Sequence, residues 1–196
     1  CNLDVVCSEE DGWEINDLYR EAIQSVGIYG FNGTNFCTGF LINNALNDCT
    51  PYFMTAYHCG VTSNNAPSVV VYWNYQNTTC RQPRTSSSGA PGNGLLRSQS
   101  TGASLVATYK NSDFTLLRLD DEVPESADAY FAGWNRDPIP PTDTVFCVHH
   151  PNSEEKRISY SFQDTYLGEW ASEDDPVPDG DHVVVPRWDI GTTEVG

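Results

Sequence analysis

Phe53-Met54-Thr55-Ala56-Tyr57-His58-Cys59-Gly60 is a short apolar run that ends in a histidine set beside a cysteine. A histidine that closes a buried strand and is pinned by a neighbouring disulfide has a fixed position. A general base needs that fixity to reach a hydroxyl repeatedly. His58 is therefore the residue around which the rest of the chain is read.

Outward from this run, residues 26–31 and 36–43 read as strands flanking Asn32-Gly33-Thr34, a hairpin turn in which glycine supports a positive φ. Residues 52–58 and 69–75 read as two more, the latter alternating Val/Tyr and Val/Trp as in a sheet with two packed faces. Upstream, residues 1–12 form a short extended arm carrying Cys1 and Cys7, mobile unless stapled down. Residues 13–26 place Ile15, Leu18, Tyr19, Ala22, Ile23 and Val26 at helical spacing, with Asp11 as a start signal. Residues 81–102, rich in Ser, Gly, Pro, Asn and Thr, read as a surface loop or connection. Residues 103–109 and 113–119 form a further strand pair, and the acidic stretch 120–128 reads as a crossing between two halves. Beyond it, residues 129–134, 144–149, 157–162 and 182–188 are short strand candidates. Regularly spaced short strands suggest a sandwich or barrel.

Composition supports this reading. Among 196 residues, Pro 12 and Gly 15 with many short apolar runs favour a β protein over a helical bundle. No apolar run approaches the roughly 20 residues that span a bilayer, so no membrane partner is expected. The chain opens on Cys1 without a basic and then an apolar segment, and reads as a mature, processed polypeptide. A net charge of -17 with only 10 Lys+Arg argues against nucleic acid. It implies a strongly solvated surface, or a negative field that gathers cationic substrates. Seven cysteines without repeated C-x-x-C spacing favour disulfides over zinc and hence secretion. The odd number implies a free thiol, an intermolecular bond, or a partner outside the chain.

Thr55-Ala56-Tyr57-His58-Cys59 resembles the histidine motif of trypsin-like serine peptidases, and Cys37-Thr38-Gly39 resembles the half-cystine and glycine that accompany it. Tyr57 departs mildly, since many such motifs carry a small residue before the histidine. Residues 69–77, His149-His150-Pro151-Asn152 and Lys156-Arg157-Ile158-Ser159 resemble the bacterial lysyl endopeptidase branch. The resemblance implies an all-β fold of two packed antiparallel β-barrels with the active site between them. Residues 1–120 would hold the arm, the helix and the first barrel, and residues 121–196 a second barrel incomplete in this chain. His58 would be the base, and Asp113, which opens Asp113-Phe114-Thr115-Leu116-Leu117-Arg118-Leu119, the buried carboxylate that orients it. A turn aspartate is the plainer reading of Asp113.

The same resemblance puts the first glycine of the family's Gly-x-Ser-Gly pattern at Gly196. Gly196 would then supply one N–H of the oxyanion hole, and the nucleophilic serine would lie two positions further on. The implied bridges are Cys37–Cys59 and Cys7–Cys80, with Cys1 joined to a cysteine outside the chain and Cys49 and Cys147 available for an additional bridge. An interruption of the chain, a nick leaving two disulfide-linked chains, or a shortened polypeptide would each account for the missing serine. Residues 1–196 alone would be inactive.

The resemblance further implies a peptide or protein substrate cut after lysine, with Trp170 walling the primary pocket. A core or surface tryptophan is the competing reading. His149-His150, with His182 and the acids at Glu173, Asp174, Asp175, Asp179 and Asp181, raises a metal centre. Adjacent residues on a strand point to opposite faces, so the histidines read as structural. The acids read as a solvated surface or a weak calcium site. No cofactor and no catalytic metal are expected. The alternative to a peptidase is a peptidase-like binding or structural protein that kept the barrels and lost the nucleophile.

Overall fold

The computed structural model describes residues 2–136, 143–169, 180 and 182–194. In chain order the elements are β1 (Leu3–Asp4), α1 (Glu14–Leu18), α2 (Arg20–Ser25), β2 (Val26–Phe31), β3 (Asn35–Ile42), β4 (Tyr52–Ala56), β5 (Val70–Trp73), β6 (Ser98–Thr101), β7 (Ala103–Tyr109), β8 (Phe114–Leu119), β9 (Val145–His149), β10 (Arg157–Ser161), β11 (Tyr166–Gly168) and β12 (His182–Val184). The protein is all-β with two short helices.

The first half is a seven-stranded antiparallel sheet in the order β6-β5-β2-β3-β4-β8-β7. Its two edges, β6 and β7, are separated in sequence only by Gly102, whose φ of 77° bends one continuous strand. Gly102 N–H donates to Val69 O at 2.8 Å and Gly102 O accepts from Asp120 N–H at 3.0 Å, so the bend bonds to both sides. The sheet therefore closes on itself as an antiparallel barrel, which removes its edges.

Strand alternation fills the interior. On β4, Phe53 and Thr55 are buried between less buried neighbours, and on β5 Val71 and Trp73 are. Phe53 meets Tyr29 and Trp73 edge-on, with ring centroids 5.6 and 5.9 Å apart. Burying each such ring stabilises the barrel by about 2 kcal/mol. Gly39 is needed here because a Cβ on it would lie 2.3 Å from Phe53 Cε1 and 2.8 Å from Met54 O. The turn at residues 32–34 forms as expected, with Asn32 at φ 53° and Gly33 at φ 81°.

The second half has a three-stranded sheet, β1-β10-β9, and the pair β11-β12. The N-terminal arm, expected with the first half, pairs with β10 through Leu3↔Ile158 and Asp4↔Arg157. Leu3, Val5, Cys7, Ile23, Ile158 and Tyr160 form a second buried cluster. The arm is stapled by Cys7–Cys80 and by Asp4, which pairs with Arg81 Nε at 2.9 Å and Arg157 Nη1 at 2.8 Å. All three ionic residues are almost wholly buried. Removing one of them would strand its partners' charges in the interior.

Several expectations are corrected. The single helix over 13–26 is broken at Tyr19 (φ -116°, ψ 18°), and Asp11 belongs to a preceding 3-10 turn, Glu9–Asp11. Tertiary contacts override the helical period. Tyr19 packs on Phe146 and Tyr160. The buried Asn16 donates to Asp4 O and Cys7 O of the arm. Residues 98–101, expected as loop, are β6. Residues 129–134 form only a bridge, Ala132 to Ile42. The run 52–58 stops as a strand at Ala56.

The additional bridge between Cys49 and Cys147 does not form. Cys49 lies exposed in the turn after β3 and Cys147 sits on β9 in the other half, so both thiols are free. Burial pushes the Cys147 thiol up to about 11, which keeps it protonated and unreactive. Cys1, Trp170, Gly196, Glu173, Asp174, Asp175, Asp179 and Asp181 lie outside the described residues.

Candidate active site

The register of β4 against β8 builds the site. Ala56 pairs with Phe114, and one step further Tyr57 N–H donates to Asp113 O at 3.0 Å. The chain then leaves the sheet in a 3-10 turn, Tyr57–Cys59, closed by Gly60 at φ 86°. His58 is thus carried on a turn and does not end the strand itself. The turn brings His58 N–H to Asp113 Oδ1 at 2.9 Å and His58 Nδ1 to Asp113 Oδ2 at 2.6 Å. One carboxylate therefore grips both the backbone and the ring of the histidine. Asp113 sits at φ 50°, in the left-handed region that Asp and Asn tolerate best.

The pair is half-exposed, with 39% of the His58 side chain and 29% of the Asp113 side chain accessible. Asp113 stands at the rim of the barrel because it precedes β8 and is not part of it.

Below the turn, Cys59 is bonded to Cys37 of β3. Thr55, buried beneath the bridge, donates Oγ1 to Thr38 O at 2.8 Å and lies 3.0 Å from the Tyr29 hydroxyl. Both bridges implied by the resemblance, Cys37–Cys59 and Cys7–Cys80, are present. Cys37–Cys59 spans 22 residues. Replacing both cysteines with serine is expected to destabilise the protein by about 3 kcal/mol, read from urea unfolding. An unchanged unfolding midpoint would show that the bridge contributes no constraint.

His149 and His150 follow different courses. Both are buried; His149 ends β9, while His150 donates its backbone N–H to Thr38 Oγ1 at 3.1 Å across the gap between the two halves. The His150 ring stacks on Tyr75 at 5.9 Å, and its Nδ1 meets Glu154 O at 2.9 Å. Burial pushes the His150 imidazole down to about 3, with the charge of Lys156 adding to the effect. Among the described residues, the one set that converges at metal-ligand spacing is Cys7, Asp11 and Cys80. Two of its three sulfur and oxygen donors are spent in a disulfide.

Beside the Cys37–Cys59 bridge a small cavity is lined by Ile28, Phe36, Cys37, His150, Asn152, Ser153 and Glu194. Sequence reading missed Phe36, Asn152 and Glu194 as neighbours. Positions 36, 152 and 194 carry no shared local signal, and only the packing of the two halves joins them.

A histidine and an aspartate clasped together at the rim of a closed antiparallel barrel, beside a disulfide from the histidine's own turn, define the trypsin-like class of serine proteases. Within that class the chain belongs to the lysyl endopeptidase family: the sequence model of the lysyl endopeptidase C-terminal domain matches residues 1–196. A curated relative, lysyl endopeptidase of Pseudomonas aeruginosa, is 26% identical over 161 residues, which cover 81% of this chain and 33% of the relative. The chain thus spans about a third of that relative's length. Among solved structures, the Rv3671c protease of M. tuberculosis in an inactive form is similar at 16% identity and a TM-score of 0.44, over 81% of this chain and 65% of that one. Deg5 is similar at 13% identity and a TM-score of 0.48, over 89% of this chain and 70% of that one. Among the described residues, no helix is long and apolar enough to cross a membrane.

Proposed function

We propose that the complete protein carrying this chain is a secreted serine endopeptidase that cuts peptide bonds after lysine. The observation that carries the reading is the 2.6 Å contact of His58 Nδ1 with Asp113 Oδ2. A carboxylate accepts only, so it holds the proton on Nδ1 and leaves Nε2 free to take a proton from a serine hydroxyl. As that proton arrives, the ring becomes an imidazolium, which the adjacent carboxylate stabilises. His58 then returns the proton to the leaving amine.

In this reading the serine lies outside residues 1–196, in the same polypeptide or in a second chain tied through Cys1. Gly196 donates one N–H to the oxyanion, and Trp170 walls the pocket for lysine. Membership of the lysyl endopeptidase family supports the lysine preference. The two disulfides support an oxidising, extracellular setting. Residues 1–196 by themselves are expected to hydrolyse nothing.

The test is fluorophosphonate labelling of the complete protein, followed by mapping of its cleavage sites. Covalent labelling of one serine and cleavage after lysine are expected. Absence of labelling would replace the peptidase with a binding protein that kept the barrels. Cleavage after apolar residues would overturn the lysine preference alone.

A further inference from the structure

Of the 10 Lys+Arg in the chain, two are lysine, Lys110 and Lys156, which leaves eight arginines. Lysine is ordinarily among the commonest residues and is almost never fully buried. Here both its number and its placement depart from that rule.

Lys156 is fully buried, and its Nζ donates to Ile23 O at 3.0 Å. Residues 155–161 around it are buried throughout, so the Lys156–Arg157 bond is closed to any peptidase while the protein is folded. Exposed loops are where proteolytic nicking concentrates. The longest segment between strands of the barrel, residues 74–97, is such a place, and its cations are Arg81, Arg84 and Arg97. Arg84 and Arg97 are exposed. A peptidase that cuts after lysine finds nothing to cut there.

Lys110 is the exception. It is exposed and opens the turn Lys110-Asn111-Ser112-Asp113 between β7 and β8, in which Asp113 N–H donates to Lys110 O at 3.2 Å. The one accessible lysine of the chain therefore shares a turn with the carboxylate that holds His58. A peptidase takes its substrate as an extended strand, so this turn must open before the bond is cut. Opening it disturbs little buried surface. Residues 106–111 are all exposed, and a bulge between Leu105 and Ala107 interrupts the β7–β8 ladder, leaving Ala107↔Leu116, Thr108↔Thr115 and Tyr109↔Phe114 beyond it.

We infer that the complete protein cuts the Lys110–Asn111 bond of its own copies, and that this cut disarms the active site. The inference rests on the peptidase reading and adds the regulation of that site. In the cut, the serine oxygen displaces the Asn111 amine from the Lys110 carbonyl, and His58 passes the serine's proton to that amine. Water then releases Lys110 as a free carboxyl group and restores the serine hydroxyl.

The cut acts on Asp113. The bond from Asp113 N–H to Lys110 O no longer closes a turn, so the φ of 50° is no longer enforced. The new α-amino group of Asn111 is largely protonated at neutral pH. It stands two positions from Asp113 and competes with the His58 ring for the carboxylate. The rest of the fold keeps its supports. Both disulfides lie within residues 1–110, and β8 stays paired with β4 from Tyr52↔Arg118 to Ala56↔Phe114, with Leu117 buried. The nick therefore costs activity and leaves the fold standing.

The experiment incubates the complete protein at several concentrations, maps the breaks by peptide mass and follows hydrolysis of a lysyl model peptide. Within residues 1–196, the first new ends are expected at Lys110 and Asn111, forming faster at higher protein concentration. kcat is expected to fall in step with the nicked fraction, the fully nicked protein being about 10²-fold less active, while KM and the far-UV circular dichroism hold. Lys110→Arg keeps the charge and the turn and removes the lysine. It is expected to start at the parent's kcat/KM and to retain it while the parent declines.

A model peptide that is cut while the Lys110–Asn111 bond stays whole would overturn the inference and leave the peptidase reading standing. So would a Lys110→Arg variant that declines as fast as its parent, or a nicked protein as active as the intact one. No hydrolysis of the model peptide at all would sink the peptidase reading, and the inference with it.

Discussion

Asp113→Asn in the complete protein is expected to lower kcat by about 10⁴-fold while leaving the fold intact. The reason lies in how the carboxylate is oriented. Asp113 Oδ1 accepts the His58 backbone N–H at 2.9 Å, and Oδ2 faces Nδ1 at 2.6 Å. An asparagine at this position keeps its carbonyl oxygen on the backbone N–H, because that is the acceptor the N–H requires. Its NH₂ is then forced toward Nδ1. Two donors cannot share a hydrogen bond, so the ring moves its proton to Nε2, and the atom that must accept the serine proton no longer can.

The backbone accommodates the change, since Asp113 lies at φ 50°, where asparagine is as well tolerated as aspartate. The loss should therefore appear in kcat with little change in KM or in the unfolding midpoint. Raising the pH should rescue part of it, because hydroxide replaces the missing base. A loss below tenfold would mean that the His58–Asp113 contact only shapes the turn.

Lys156→Met is expected to stabilise the protein at pH 7 by several kcal/mol, on the order of 3, and to flatten its stability between pH 7 and 10. Lys156 is fully buried, and its Nζ donates to Ile23 O at 3.0 Å. Burial pushes this amine down to about 7, from 10.5 in the unfolded chain. The folded state thus binds its proton less tightly than the unfolded one. The stability of the unsubstituted protein is fully present above pH 10.5 and is lost as pH falls toward 7, below which the loss is complete and constant.

Methionine has similar length and no charge to desolvate. Ile23 O also keeps a partner, because Val26 N–H donates to it at the end of α2. Urea unfolding from pH 7 to 10 reads the effect. A variant less stable than its parent at pH 7, with the same pH slope, would show that the buried amine is not the source of that slope.

How much of this was legible beforehand differs from element to element. Residues 26–31 and 103–109 could be bounded from sequence because each is a continuous strand-forming run closed by turn residues, and both coincide with β2 and β7. The inward alternation of Val71 and Trp73 was equally local. The strands and the histidine motif were legible because the chain carries them in its own neighbour relations, whereas the two disulfides, Cys7–Cys80 across 73 positions among them, were legible only through the family resemblance that the motif brings.

Other features arise only between segments far apart in sequence. Ser98-Gln99-Ser100-Thr101 has no apolar period. It becomes β6 because β5 offers a ladder and Trp73 Nε1 finds Ser100 Oγ at 3.0 Å. The helix over 13–26 breaks where Asn16 and Tyr19 are claimed by the arm and β10. The arm joins the second sheet because Asp4 must meet Arg81 and Arg157 together.

Asp113 could be named from its motif. Its double hold on His58 depends on the β4–β8 register and on the turn after Ala56. His150 and Glu194, 44 positions apart, face one cavity only after the two halves pack. Apolar periodicity is a local property and survives in the sequence, whereas the burial and pairing of polar groups is settled by non-local contacts. Tertiary structure therefore decided the site's geometry and the strand at Ser98–Thr101, and the sequence alone determined the strands that carry an apolar run and the histidine around which that geometry is built.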